Sequence, residues 1–142
     1  MKKNITVALP VVLVVLAAAI LPVLRGGTPT LSEAESISVL AGGAEAVISD
    51  PGDIRAMTAV FSKIPSTDMP SCPFGAVDIQ VRTKSGDVHV FPATDGCYIF
   101  KINNKYILAS GEEWEQVSEV LEKYGISIEE QTARTKIGED KN

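Results

Sequence analysis

"AVDIQVRTKSGDVHVFPATDGCYIFKINNKYILA", residues 76–109, decides the fold. Four apolar-rich runs alternate here with turn residues. In residues 76–82, Val77, Ile79 and Val81 alternate with Asp78, Gln80 and Arg82, the period of a strand with one buried face. Lys84-Ser85-Gly86-Asp87 then turns the chain into residues 87–93. A two-residue Ser85-Gly86 turn sets Arg82 opposite His89 and Val81 opposite Val90, which leaves His89 outside. A three-residue loop with Gly86 in the left-handed conformation instead sets Val81 opposite His89 and changes its face. The first is preferred, because it buries Val88 and Val90 beside Val81. Residues 97–102 and 105–109 flank Asn103-Asn104, a pair that tolerates the left-handed backbone of a tight turn.

A hairpin also precedes this stretch: "ISVLAGGAEAVI", residues 37–48, reads as two short strands around Gly42-Gly43. Each outer hairpin is followed by a helix signal. Asp50 caps the first helix, Pro51 suits its first position and Asp53 puts a carboxylate at its positive end. Ile54, Met57, Phe61 and Ile64 recur at helical spacing, and Pro65 marks the end. In the second, Ser110 and Glu113 form a capping box, Trp114, Val117, Leu121 and Tyr124 make the apolar stripe, and Gly125 ends it. A shift of 60 positions lays the first hairpin and helix on the second, a similarity of topology with sparse residue identity. The order ββα-ββ-ββα predicts an α+β fold: an antiparallel sheet of about six strands with two helices on one side. It stands behind an N-terminal transmembrane helix.

That helix is expected at residues 5–24, "ITVALPVVLVVLAAAILPVL", which carry no charge. Twenty residues at about 1.5 Å each reach about 30 Å, the thickness of a bilayer's hydrocarbon core. A cleaved signal peptide is the competing reading, with Lys2 and Lys3 as its basic start and Ala17-Ala18-Ala19 as its cut site. Cleavage there would leave Ile20, Leu21, Val23 and Leu24 on the mature end, and no Ala-x-Ala follows the apolar run, so an uncleaved anchor is favoured. Lys2 and Lys3 precede the span and only Arg25 closely follows it, which keeps the amino terminus in the cytoplasm and the rest outside. Residues 1–25 are thus anchor or signal segment, 26–35 a linker, 36–128 the extracytoplasmic α+β domain and 129–142 a disordered polar tail. Beyond residue 25 stand 10 basic and 18 acidic residues, a net charge of −8, which makes nucleic acid a poor partner.

"VISDPGDI", "TKSGDVHVFPATDGCYIF" and "NNKYILASGEEWEQVSEVLEKYG" resemble small exported or membrane-anchored domains of Gram-positive bacteria with no assigned function. The resemblance covers roughly residues 36–128 and rests on strand, turn and cap signals. It implies an exported domain and assigns no catalytic residue.

The chemistry-bearing residues are few. His89 is the only histidine, and no GxSxG or SxxK motif accompanies it. Cys72, His89 and Cys97 are one short of the four ligands usual for structural zinc. Glu112, Glu113, Glu115, Glu119 and Glu122 read as the solvated side of a helix. No catalytic residue, metal ligand or cofactor is assigned. The chain is read as a non-enzymatic binding or sensing domain at the cell envelope, with the membrane and an envelope protein as its partners. A secreted inhibitor or immunity-type protein, and a hydrolase using His89, are the alternatives. Tyr98, Phe100 and Tyr106 form the candidate binding face. Both faces of their hairpin carry large apolar side chains, so one face needs a cover other than the two helices. Cys72 and Cys97 bracket the middle hairpin and are expected to form a disulfide, because an exported domain with an even cysteine count favours one.

Overall fold

The structure, a computed structural model, describes residues 30–131 and 133. The eight main elements are β1 (Ala34–Ala41), β2 (Ala44–Ile48), α1 (Pro51–Phe61), β3 (Val77–Thr83), β4 (Gly86–Pro92), β5 (Ile99–Ile102), β6 (Lys105–Leu108) and α2 (Gly111–Lys123). All strand pairs are antiparallel, in the spatial order β2-β1-β3-β4-β5-β6. Each end of the sheet is one ββα unit whose second strand is the edge, so the shift similarity of the sequence becomes an approximate two-fold arrangement about the β3–β4 hairpin.

Turn chemistry fixes the outer hairpins. Gly42 and Gly43 take φ of +55° and +87°, and Ala41 faces Ala44 across them. A Cβ on Gly42 would also run into the Gln131 side chain. Asn103, at φ +54°, turns β5 into β6, with Ile102 opposite Lys105. The middle turn is centred on Lys84-Ser85 instead of Ser85-Gly86: Val81 faces Val88, and His89 faces Gln80 instead of Arg82. This slip of two residues keeps every side chain on its expected face, because the pleat repeats every two.

Alternation then sorts the sheet into two faces. Ile37, Val39, Val77, Ile79, Val81, Val90 and Phe100 point inward and are fully buried. Ile54, Met57, Val60 and Phe61 of α1, and Trp114, Val117, Val120 and Leu121 of α2, cover them from one side. Helix α1 starts where Asp50 Oδ1 accepts from the N–H groups of Gly52 and Asp53. It stops earlier than expected: Ser62 is the C-cap, and Ile64 stands 93% exposed outside the core. Pro65 disfavours helical backbone at the residue before it. Helix α2 has the expected capping box, with Ser110 N–H donating to Glu113 Oε2 at 2.7 Å and Glu113 N–H to Ser110 Oγ at 3.2 Å.

The two helices run antiparallel and are tied at both ends. Lys63, just past α1, donates to Glu113 at 2.6 Å. At the other end Lys123 Nζ and the Tyr124 hydroxyl both donate to Asp53 Oδ2, at 2.7 and 2.8 Å. The Lys123 hydrogen bond first, and then that of Tyr124, hold the Asp53 carboxyl below its ordinary 3.8. A depressed carboxylate stabilises the fold above its unfolded pKa and loses that effect as pH falls through its folded one. Asp53→Asn is therefore expected to lower Tm at pH 7, with the gap from the parent closing as the pH drops below about 3.8. Parallel Tm–pH curves for the two proteins would contradict this.

Two boundaries move. The fold begins inside the expected 26–35 linker, with a 3-10 turn at Leu31–Glu33 and β1 starting at Ala34, because Leu31 and Ala34 pack against the core. The expected tail begins as helix, since residues 128–131 are helical with Ile128 buried. The candidate span at residues 5–24 lies outside the described residues, as does most of the tail. Among the described residues no helix is long and apolar enough to cross a membrane.

Candidate functional site

The connection from α1 to β3, residues 62–76, is far longer than the few residues usual between packed elements. Pro65, Pro70 and Pro73 deny it helix and regular ladder bonding. It instead attaches to the sheet at separate points. Ser66 pairs with Tyr106 on the open edge of β6, its N–H donating to the Tyr106 carbonyl at 2.7 Å. Phe74 pairs with Ala93, and the Thr94 N–H donates to the Pro73 carbonyl at 3.0 Å. Between these anchors the chain crosses the outer face of β5 and β6 as a strap.

That face is the one the helices leave uncovered. Ile99 opposes Leu108, and Lys101 opposes Tyr106, on the outside, while Phe100 opposes Ile107 within. The Phe74 ring lies 5.8 Å from that of Tyr106. Ser66, Asp68, Met69 and Pro70 of the strap, with Ile99, Tyr106 and Leu108 of the hairpin, line a cleft of about 110 Å³. Cover is incomplete, since Met69 is 82% and Leu108 54% exposed.

The expected trio of Tyr98, Phe100 and Tyr106 does not form one surface. Phe100 is core, 5.1 Å from the Phe61 ring and 5.0 Å from Trp114. Tyr98 precedes β5 and lies 5.6 Å from Trp114 on the helix side. Tyr106 alone faces outward, because its position alternates with that of Ile107. A second, acidic cleft beside Tyr98 and Trp114 is lined by Glu115, Glu119 and Glu122 of α2 and by Glu129.

Cys72 of the strap and Cys97, just before β5, come together as expected, with their sulfurs 2.7 Å apart. The expected disulfide is not there: both are free thiols, and their separation exceeds the roughly 2.05 Å of a sulfur–sulfur bond. The Asp95 carboxylate completes the cluster, its oxygen and both sulfurs all within 4.8 Å of one another. It also accepts the Cys97 N–H at 3.2 Å. The Cys72 sulfur first, and then Asp95, push the Cys97 thiol up to about 12. Asp95 reads in sequence as a local turn residue, and its Asp-x-Cys spacing was the available signal.

His89 faces outward as expected, and it has an acidic partner. Its Nδ1 lies 2.9 and 3.1 Å from the Asp78 oxygens, and its ring stacks 6.2 Å from Phe91. Among the described residues no serine, threonine or cysteine hydrogen-bonds the ring. His89 also stands apart from the Cys72–Asp95–Cys97 cluster. No family model, curated protein or solved structure matches the chain.

Proposed function

We propose that this chain is a non-enzymatic binding or sensing domain of the cell envelope, carried outside the cytoplasm on a membrane span at residues 5–24. It engages a partner polypeptide at the cleft between the strap and the β5–β6 hairpin. The observation that carries this reading is the exposed apolar rim of the cleft at Met69 and Leu108. Size selects the partner: about 110 Å³ is well below the roughly 300 Å³ or more of sites that enclose small molecules. Such a cleft takes one apolar side chain of a polypeptide. Among the described residues Asp68 is the only charged one lining it, and the chain beyond residue 25 carries −8, so a basic residue beside the apolar anchor is favoured. The charge-free run behind Lys2 and Lys3, and the resemblance to exported Gram-positive domains, support the location.

A photo-cross-linking residue placed at Leu108 of the full chain, in intact cells, tests this. The 15.1 kDa chain is expected in the alkali-washed membrane pellet, with one discrete protein adduct. The same residue at Glu45, on the far edge strand, is expected to give none. Recovery in the soluble fraction, or equal adducts from both positions, would overturn the reading.

A further inference from the structure

We propose that Cys72 and Cys97 are an oxidisable latch: a small-molecule disulfide on the outer side of the membrane converts the two thiols into a disulfide that locks the strap onto the β5–β6 face. The sulfurs are already 2.7 Å apart, so bonding needs them to close by about 0.6 Å, within the reach of small side-chain rotations. Cys72 lies in the strap between Met69, which roofs the cleft, and Phe74, which packs on Tyr106. Cys97 lies in the loop that enters β5. Among the described residues the strap's other attachments are scattered hydrogen bonds and ring contacts, at Ser66, Pro73 and Phe74. One covalent bond would therefore change how readily the strap lifts. The bond would also close a loop around the whole β3–β4 hairpin, which restricts the unfolded chain.

The exchange balances without any further reagent. Cys72, as thiolate, attacks one sulfur of the small disulfide and expels the first small thiol, which keeps the proton that Cys72 lost. Cys97 then attacks Cys72 Sγ and loses its proton as the new sulfur–sulfur bond forms. The second small thiolate leaves and takes that proton. One external disulfide becomes two thiols, and two protein thiols become one disulfide. The effect on the cleft rests on reading the cleft as the docking surface; formation of the bond does not. The same donors, two sulfurs and a carboxylate, suit a thiophilic metal ion, and the test below separates the two.

The full chain in detergent is equilibrated with reduced and oxidised glutathione across a range of ratios, quenched with an alkylating agent and weighed. Populations with two alkylated cysteines or none are expected, exchanging over one two-electron transition. In the oxidised form proteolysis within residues 66–71 should slow by about tenfold. The folded Cys72→Ser, Cys97→Ser double variant should show no redox effect on that cleavage. Thiols that stay alkylatable at every ratio, or a bond that leaves strap cleavage unchanged, would overturn the latch. So would resistance to oxidation that a chelator abolishes, because that identifies a metal site. If the latch closes while the Leu108 adduct is absent, the docking surface fails and the latch stands.

Discussion

Phe100→Ala is expected to destabilise the domain by about 3–5 kcal/mol, the cost of emptying a buried aromatic site. Phe100 is fully buried on the inner face of β5, and two aromatic rings close on it. Phe61 from α1 meets it edge-on at 5.1 Å, and Trp114 from α2 stacks at 5.0 Å. Both helices therefore pack against this side chain, and neither can fill the space without giving up its own buried contacts. A domain of about a hundred residues has a total stability of about 5–15 kcal/mol, so the loss is a large share of the whole. It should appear as a Tm fall of more than about 12 °C, and as a lower urea midpoint with an unchanged slope. Leu108→Ala, on the half-exposed outer face of the same hairpin, should cost far less. Equal losses at the two positions would mean that the faces of β5 and β6 are wrongly assigned.

That assignment shows where the sequence was sufficient. Asp50-Pro51, Ser110 with Glu113, Gly42-Gly43 and Asn103-Asn104 act on backbone a few residues away, so their effects are legible locally, and all of them appear. The β3–β4 register differs by two residues from the one the turn signals favour, because Lys84-Ser85-Gly86-Asp87 offers adjacent turn centres of similar quality. Facing survived because only an odd slip exchanges the faces. Alternation also held the information that separates Tyr106 from Phe100, since Phe100 opposite Ile107 forces Tyr106 outward.

The strap was not legible in the same way. Residues 62–75 show no hydrophobic period, and their prolines report only that regular structure is interrupted. Their course is set by partners far along the chain: Ser66 on Tyr106, Pro73 on Thr94 and Phe74 on Tyr106 and Ala93. The convergence of Asp95 on the two cysteines has the same origin. It needs Pro73 and Phe74 held beside Ala93 and Thr94, which no local signal encodes. The sequence did show that the outer face of the last hairpin needed a cover, and the strap is that cover.

Amide hydrogen exchange on the reduced full chain tests this most directly. Ser66 N–H donates to the Tyr106 carbonyl and Thr94 N–H to the Pro73 carbonyl. Both bonds exist only while the strap lies on the sheet. If it stays docked, both amides are expected to exchange at least about a hundredfold more slowly than in an unstructured chain, by the local opening that limits such protection. The ladder amides of β5 and β6 are the internal reference. Exchange of Ser66 and Thr94 at unstructured-chain rates, with the β5–β6 ladder still protected, would show the strap free of the sheet and would contradict the account.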